Sequence, residues 1–300
     1  MKIALTGATG FIGHYIARYL AEQGHTLRCW YRPFSNRLGL EPISQALEWV
    51  EGDLGNPDSC HDLVTGCDAV IHAALYHPGG GFQGGEGSLT DFVQKNIVGT
   101  IELIEAARQA KANRFVFIST CAVHDKILDD RPLDETHPLW PKSHYGAYKA
   151  ALEAFVHSYG LGHGYPIYAL RPTGVYGVAR PIEDSKWFDL IAAVVRGETV
   201  TCQRGGKEVH AADVAKAAGI LLSVEGIAGE AFNCYDRYVS EYDVATLAKR
   251  LTGSNSQIKG SQTKPKNQIE TGKIRALGME FGGEALLEKT VEEIVRAVQK

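Results

Sequence analysis

Three glycines near the amino terminus, each three residues from the next, constrain the fold of this chain more than any other feature. Gly7, Gly10 and Gly13 follow directly after residues 2–6, a short apolar run typical of a buried strand. The pattern after the turn predicts a helix over residues 11–23. Gly7 permits a tight turn, and Gly13 lets this helix pack closely against the sheet. The order of strand, glycine turn and helix predicts the first unit of a nucleotide-binding sheet.

The amino terminus of the predicted helix is suited to an anion. Gly10 lets backbone amides approach a pyrophosphate, and the positive end of the helix dipole favours negative charge without a lysine in the turn. We therefore expect the phosphates of a dinucleotide to lie against this turn. The residues expected to contact the cofactor here are Gly7, Thr9, Gly10, Phe11, Ile12 and Gly13.

A second pattern, Ser-His-Tyr-Gly-Ala-Tyr-Lys, places Tyr145 and Lys149 four residues apart. On a helix such residues share a face, so the ammonium of Lys149 can approach the phenol of Tyr145 and favour its ionised form. A free tyrosine has a pKa of about 10. We expect Lys149 to lower this pKa and make Tyr145 a usable acid and base. Together the two patterns predict a hydride-transfer enzyme.

Further motifs follow in a characteristic order along the chain. They are Gly-Asp53-Leu54, His72-Ala73-Ala74, Asn96-Ile-Val-Gly99-Thr100, Phe-Val-Phe-Ile-Ser119-Thr120, Leu-Arg171-Pro172-Thr-Gly-Val-Tyr-Gly177 and His210-Ala-Ala-Asp213-Val. With the glycine turn and the Tyr145 and Lys149 pair, these motifs resemble the extended short-chain dehydrogenase/reductase family, also called the NAD-dependent epimerase/dehydratase group. The resemblance extends over nearly the whole chain.

The resemblance implies a role for each matching residue. Thr120, Tyr145 and Lys149 form the catalytic set, in which Tyr145 protonates the substrate oxygen and Thr120 orients it. Lys149 also holds the nicotinamide ribose. The other cofactor-binding residues implied by the resemblance are Asp53 and Leu54 beside the adenine, Ala73 and Ala74 beside the cofactor, and Arg171 and Pro172.

Two residues near this set have alternative interpretations. Asn96 either assists catalysis through a chain of water molecules or is a structural amide that ties its helix to a strand. Ser119 precedes Thr120, and the family pattern assigns the catalytic role to the second hydroxyl. Ser119 is then a hydroxyl whose hydrogen bonds are satisfied at the end of a strand.

Charge at the end of the second predicted strand, residues 26–31, indicates which nicotinamide cofactor is bound. An NAD site usually has a carboxylate there, which binds the ribose hydroxyls of adenosine. This chain has Tyr31, then Arg32 and Arg37, with Ser35 and Asn36 between them. Fixed positive charge and short polar side chains suit a 2'-phosphate. The sequence therefore favours NADP, with NAD as the alternative.

Composition excludes several other classes of protein. The net charge of -4 and pI of about 6.3 argue against nucleic-acid binding. No apolar stretch approaches the roughly 20 residues of a membrane span, and the amino-terminal run is too short for a secretory signal. The six cysteines and eleven histidines lack metal-ligand spacing, so we expect no metal site. We expect a cytoplasmic protein with reduced cysteines.

Alternation of strand and helix patterns predicts an α/β fold, a Rossmann-type doubly wound parallel sheet with a smaller C-terminal substrate-binding cap. We assign residues 1–177 and about 208–236 to the dinucleotide-binding domain, and about 178–207 and 237–300 to the cap. The predicted strands are 47–51, 69–72, 114–119 and 166–171. The predicted helices are 57–65, 89–110, 145–161, 187–196, 242–251 and 284–298. Residues 213–223 and 231–234 are expected to return to the main sheet.

The substrate is less strongly indicated. Relatives that handle nucleotide sugars usually carry an asparagine that contacts the diphosphate where this chain has Gly174, and their usual Val-Tyr-Gly is replaced by Val123-His124-Asp125. These departures favour a carbonyl reductase or alcohol dehydrogenase. A nucleotide-sugar epimerase or dehydratase that retains its cofactor, and a non-catalytic NADP sensor, are the alternatives.

Three further expectations concern substrate access, substrate charge and assembly. The glycine-rich run 77–87 is either an active-site lid or a connector. The cap cations that could bind an anionic substrate are Arg180, Lys186, Arg204 and Lys207. Helices 89–110 and 145–161 are expected to pair in a homodimer.

Overall fold

The structure of the protein, a computed structural model, describes residues 1–79 and 84–300. Residues 80–83, part of the predicted lid, lie outside the described residues. The strands are β1 Lys2–Thr6, β2 Thr26–Tyr31, β3 Leu47–Glu51, β4 Ala69–His72, β5 Arg114–Ile118, β6 Ile167–Pro172, β7 Gly174–Tyr176, β8 Val200–Cys202, β9 Gly205–His210, β10 Ala231–Cys234, β11 Arg237–Ser240 and β12 Ile258–Gly260.

The α-helices lie between these strands. They are α1 Phe11–Glu22, α2 Pro57–Val64, α3 Leu89–Val93, α4 Gly99–Gln109, α5 His144–His157, α6 Phe188–Val195, α7 Ala211–Leu221, α8 Glu241–Thr252, α9 Gly272–Ala276 and α10 Gly283–Val298. Within the described ranges, none of the helices combines the length and apolar character that crossing a bilayer requires.

Seven of the described strands form a parallel sheet in the order β10-β6-β5-β4-β1-β2-β3. This order confirms the predicted Rossmann-type fold. The strand order reverses between β1 and β4, which are neighbours in the sheet although far apart in sequence. Ligands of such sheets bind beyond the carboxyl ends of the strands at this switch point. The glycine turn follows β1 there, and residues 73 and 74 follow β4.

Helices cover both faces of this sheet. On one face, apolar side chains of α2, α4 and α5, including Leu63, Leu103 and Leu152, form a buried cluster with strand residues such as Val70 and Phe115. The other face is covered in part by α1 and α7, which approach so closely that a Cβ at position 219 would lie 2.5 Å from the ring of Tyr19. Burial on both faces explains why the central strands are almost entirely apolar.

The chain divides into two compact units. The first comprises residues 1–172, 214–234 and 269–279, and the second comprises residues 173–213, 235–268 and 280–300. The second unit contains two small sheets, β11-β9-β7 and β12-β8, and a core formed largely by α6, α8 and α10. The boundaries differ by a few residues from those predicted, and residues 269–279 belong to the first unit. The assignment of the second unit as a substrate-binding cap stays a prediction.

Local structure departs from the sequence predictions in three places. The helix predicted over 89–110 contains a π turn at Gln94–Val98 between α3 and α4, and the helix predicted over 145–161 ends in a π turn at Ser158–Gly162. The expectation that both 213–223 and 231–234 return to the sheet is half correct, because 231–234 form β10 whereas 211–221 form helix α7.

Candidate active site

The turn after β1 has the geometry that the glycine spacing predicts. Gly7 has a φ of +76°, and its carbonyl accepts a hydrogen bond from the Gly10 amide at 2.9 Å. A Cβ on Gly7 would lie 2.8 Å from the backbone of Ala73, and a Cβ on Gly13 would lie 1.9 Å from the carbonyl oxygen of Gly7. The close approach of β1, α1 and the segment after β4 therefore requires glycine at both positions.

The amino terminus of α1 fits the pyrophosphate of a dinucleotide. Its N-cap is Gly10, no side chain caps the helix, and the first turn contains no acidic residue. The first-turn amides, those of Phe11, Ile12 and Gly13, have no acceptor within the helix. Gly10 is exposed and its neighbour Thr9 is half-buried, so this end of the helix is accessible. These features match the site expected from the sequence.

A buried hydrogen-bond chain fixes the segment after β4 beside this turn. The hydroxyl oxygen of Thr6 accepts from the amides of Ala73 and Ala74, both at 3.1 Å, and bonds Nδ1 of His72 at 2.7 Å. Nε2 of His72 lies 2.9 Å from the hydroxyl of Thr100. Burial lowers the pKa of His72 to about 3, so the ring is neutral at physiological pH. Ala73 and Ala74 are thus held beside the glycine turn, and their contact with the cofactor stays a prediction.

The end of β2 carries positive charge, as predicted. The guanidinium carbon of Arg37 lies 4.5 Å from the ring centroid of Tyr31 and 5.2 Å from that of Trp49, so two aromatic rings support it. Arg32 follows Tyr31, and its backbone amide donates to the hydroxyl of Ser35 at 2.9 Å. Both arginines therefore lie on the loop that begins where β2 ends.

Asp53 and Leu54 follow β3 at the same edge of the sheet. The carboxylate of Asp53 lies 3.6 Å from the ammonium of Lys95, and both side chains remain partly exposed. Leu54 is buried and belongs to the apolar core. Asp53 is accessible to a ligand, whereas contact with Leu54 would be limited by its burial.

The predicted catalytic residues Thr120 and Tyr145 are brought together. Thr120 lies two residues beyond β5, Tyr145 lies in the first turn of α5, and their side chains share a hydrogen bond. Burial raises the pKa of Tyr145, and the hydrogen bond from Thr120 offsets part of this effect. Tyr145 is therefore a protonated phenol at neutral pH, the form that can donate a proton.

Lys149 lies on the same helix but interacts differently from the prediction. Its ammonium donates to the carbonyl of Ile118 and lies 4.5 Å from the ring centroid of Phe117. Burial lowers the pKa of Lys149 to about 7, against the opposing effect of Glu153. The predicted lowering of the pKa of Tyr145 by Lys149 is wrong for this arrangement, because burial dominates at both groups.

Arg171 lies in a buried ion pair, which differs from its predicted contact with the cofactor. Its guanidinium is bidentate to Glu153, with Nε at 3.1 and 2.9 Å from the two carboxylate oxygens and Nη2 at 2.5 Å from one of them. The two side chains are 1% and 0% exposed. Ser119 donates to the same carboxylate, in agreement with its predicted role as a satisfied hydroxyl. Pro172 is buried as the last residue of β6.

Asn96 has the contacts of the structural alternative. Its side-chain oxygen accepts from the amide of Tyr76 at 2.8 Å, and its nitrogen donates to the carbonyls of Tyr76 and Phe92 at 2.9 and 3.0 Å. Asn96 is 1% exposed. These bonds tie the π turn to the segment after β4, and they leave the amide little capacity to act in a proton relay.

Sequence reasoning missed two residues that shape this region. Glu153 lies four residues after Lys149 and eight after Tyr145, so helical spacing could have identified it as part of the same face. Trp49 supports Arg37 from β3, and no local pattern indicates that contact. It depends on the pairing of β2 with β3, in which Trp49 is opposite Cys29.

The strand order and the glycine turn define a dinucleotide-binding protein of the Rossmann type. Thr120 and Tyr145, the residues predicted to be catalytic, lie beyond β5 and in the first turn of α5. The chain belongs to the NAD dependent epimerase/dehydratase family, whose model matches residues 3–234. This match confirms the predicted family, and the protein is therefore an enzyme of the extended short-chain dehydrogenase/reductase type.

Similar proteins carry out different reactions. A dTDP-glucose 4,6-dehydratase from Streptomyces niveus is 32% identical over 253 residues, which cover 78% of this chain and 72% of that protein. A 4-hydroxy-2-methyl-3-oxo-4-farnesyl-3,4-dihydroquinoline-1-oxide ketoreductase from Stigmatella aurantiaca is 29% identical over 247 residues, or 77% and 67% of the two chains.

A solved structure supports the fold. The UDP-glucose 4-epimerase of Thermus thermophilus, in complex with NAD, matches with a TM-score of 0.77 and 21% identity, covering 98% of this chain and 99% of that one. The likeness shows that the two proteins share an architecture.

Proposed function

We propose that the protein transfers a hydride between a nicotinamide cofactor and a carbonyl or alcohol substrate. The hydrogen-bonded pair of Thr120 and Tyr145 beyond β5 carries this proposal. The glycine turn follows β1 in the same parallel sheet, and the carboxyl ends of parallel strands meet at one edge. A phenol able to exchange a proton thus lies at the edge where a dinucleotide is expected.

When bound, the nicotinamide cofactor supplies or accepts the hydride. As a carbonyl is reduced, negative charge develops on its oxygen and requires a donor already in position. Tyr145 is protonated at neutral pH because burial raises its pKa, so it donates its proton to this oxygen. The hydroxyl of Thr120 donates a second hydrogen bond to the oxygen. Lys149, with a pKa of about 7, is the group that holds the nicotinamide ribose.

The second unit favours a substrate without a nucleotide diphosphate. A Cβ at Gly174 would lie 2.6 Å from a carboxylate oxygen of Glu208, which is buried and bonded through both oxygens to Lys186 at 2.5 Å. By resemblance, an asparagine at position 174 contacts the diphosphate in relatives that handle nucleotide sugars. In this chain the carboxylate of Glu208, paired with Lys186, occupies the space that such an asparagine would need. We therefore place net oxidation or reduction ahead of nucleotide-sugar chemistry.

A nucleotide-sugar epimerase or dehydratase is the second candidate. The similarity to a dTDP-glucose 4,6-dehydratase over 78% of the chain favours it. In this candidate Tyr145 has the same role as acid and base, but the cofactor stays bound and is regenerated in each cycle.

We further propose that NADP is preferred to NAD. Arg32 and Arg37 at the end of β2 provide two guanidinium groups for a 2'-phosphate, and Tyr31 and Trp49 support one of them. The family is NAD-dependent, so NAD is the alternative that the assay must include.

The test is a titration with NADPH and NADH, followed by a panel of aldehydes, ketones, sugar acids and nucleotide sugars. We expect net consumption of NADPH with an aldehyde or ketone. Tyr145→Phe should reduce the rate by about 100-fold or more without changing cofactor affinity. Tyr148→Phe is the matched control, because it removes a buried hydroxyl that has no partner among the described residues.

Other outcomes distinguish the alternatives. An epimerase or dehydratase would retain cofactor through purification and convert a nucleotide sugar without net NADPH consumption. A non-catalytic sensor would bind NADPH and oxidise none of it with any member of the panel. Full activity of Tyr145→Phe would contradict the proposed chemistry.

We also propose that the chain forms a homodimer through the two helices named from the sequence. Leu89 and Val93 on α3, Phe155 on α5 and Leu161 after it are 44%, 37%, 39% and 71% exposed. Apolar side chains exposed on helix surfaces favour burial against a partner. Light scattering of the wild type and of Val93→Glu tests this, and a monomeric wild type would contradict it.

A further inference from the structure

The segment 121–143 connects the two proposed catalytic residues, and hydrogen bonds join its two ends. Near its ends, the amide of Lys126 donates to the carbonyl of Trp140 at 3.1 Å, and the amide of Lys142 donates to the carboxylate of Asp125 at 2.7 Å. Thr120 precedes the segment and Tyr145 follows it by two residues. The conformation of the segment therefore sets how Thr120 is placed relative to the start of α5.

Two buried histidines hold this segment. His124 and His137 are 4% and 2% exposed, and their rings meet edge to face with centroids 5.4 Å apart. Nδ1 of each ring faces the carbonyl of Pro138, at 3.3 Å for His124 and 3.1 Å for His137. Nε2 of His137 accepts from the amide of Leu128 at 2.9 Å, so its Nδ1 carries the proton donated to Pro138.

His124 connects the segment to the buried ion pair of the core. Its Nε2 lies 3.2 Å from Nη1 of Arg171. A guanidinium can only donate, so Nε2 accepts and Nδ1 carries the proton directed at Pro138. Burial and the charge of Arg171 lower the pKa of His124 to about 4, which keeps the ring in this neutral form at pH 7. Arg171 is itself fixed by the carboxylate of Glu153.

The turn that ends at His124 contacts the helix of the proposed acid. Thr120 is the N-cap of this turn, and its hydroxyl accepts from the amide of Ala122 at 3.2 Å. A Cβ at Gly146 would lie 2.7 Å from the carbonyl oxygen of Ala122, so the turn and α5 meet one residue from Tyr145. A shift of the turn would therefore alter the hydrogen bond between Thr120 and Tyr145.

We propose that His124 is a positioning residue, which accepts from Arg171 and donates to Pro138 and thereby fixes the hydrogen bond between Thr120 and Tyr145. This inference rests on the proposed function, in which those two hydroxyls act on the substrate oxygen. By resemblance, relatives usually have the tyrosine of Val-Tyr-Gly where this chain has His124. The hydrogen bonds of His124 to Arg171 and Pro138 therefore belong to this sequence rather than to the shared motif.

Three substitutions at one position separate the two hydrogen bonds. His124→Leu removes both, His124→Asn keeps a donor for Pro138, and His124→Gln keeps an acceptor for Arg171. We expect His124→Leu to lower kcat about tenfold with little change in the KM of the cofactor, because a misplaced hydrogen bond weakens stabilisation of the reacting oxygen. His124→Gln and His124→Asn each keep one of the two bonds, so the rate of each should lie between those of His124→Leu and the wild type.

The pH profile distinguishes positioning from a general loss of stability. Thr120 lowers the pKa of Tyr145 in the free enzyme, so loosening their bond should move the alkaline limb of kcat/KM to higher pH in both His124→Leu and Thr120→Val. Val156→Ala is the matched control, since it creates a cavity in the core of the same helix far from its first turn. It should reduce the melting temperature without moving the limb.

The inference and the proposed function fail in different ways. If Tyr145→Phe is inactive but His124→Leu or His124→Asn retains the wild-type kcat and the wild-type pH profile, the inference is wrong and the proposed function stands. A His124→Gln variant that shifts the limb as far as His124→Leu would also overturn the inference. If Tyr145→Phe keeps wild-type turnover, both are overturned. If His124→Leu does not fold, His124→Asn and His124→Gln provide the same comparison.

Discussion

Removing the charge of Glu153 should destabilise the first unit severely. Its carboxylate accepts from Arg171 at 2.5 to 3.1 Å and also from Ser119, and neither member of the ion pair is more than 1% exposed. In Glu153→Gln the guanidinium stays buried without a counter-charge. Breaking such a pair costs about 3 to 5 kcal/mol. A domain is stable by only about 5 to 15 kcal/mol, so the loss is a large share of the total.

Urea unfolding followed by tryptophan fluorescence measures this loss, because Trp30, Trp49 and Trp140 all lie in the first unit. Adding Arg171→Met to Glu153→Gln removes the uncompensated charge, so the double variant should be more stable than the sum of the single effects predicts.

The control is Arg131→Gln, which breaks an exposed pair with Asp130 at 3.0 Å in the same unit and should cost less than about 1 kcal/mol. A loss below about 1 kcal/mol for Glu153→Gln, at an unchanged m value, would refute the reasoning.

Three further predictions concern the cofactor, pH and the second unit. Arg37→Gln should raise the KM for NADPH about tenfold or more and leave that for NADH unchanged, and equal effects in steady-state assays would count against a phosphate contact. The pKa of Lys149 is about 7 when folded and 10.5 in its reference state, so the unfolded chain binds more protons between these values and stability should rise with pH there. Lys149→Met should abolish this rise in urea titrations from pH 7 to 10. Gly174→Asn should destabilise the second unit through its clash with Glu208, and Gly174→Asn combined with Glu208→Ala should restore stability in thermal unfolding.

Local chemistry made the glycine turn predictable. The positive φ of Gly7 and the close contact of Gly13 with Gly7 both arise within one short segment. A short sequence motif is therefore enough to predict them. The strands 47–51 and 69–72 likewise have the predicted bounds, the first as a mixed run with three apolar residues and the second as a largely apolar run. Thr120 and Tyr145 could be placed together because each belongs to a motif with a known position in the sheet.

Long-range pairing explains what the sequence did not indicate. Arg171 appears within a motif attributed to the cofactor site, but Glu153 lies opposite it once β6 packs against α5. Lys149 was expected to act on Tyr145 because helical spacing permits it. Spacing carries no information on desolvation, and desolvation determines the pKa of both groups. The π turn at 94–98 also leaves no periodic signal, because its residues are compatible with an ordinary helix.

The packing of Glu208 against Gly174 affects how this sequence can diverge. Any side chain at position 174 requires that Glu208 move or change first, and loss of Glu208 alone leaves Lys186 without its partner. The two positions are therefore coupled, and substitutions at position 174 and at Glu208 should have non-additive effects on the stability of the second unit.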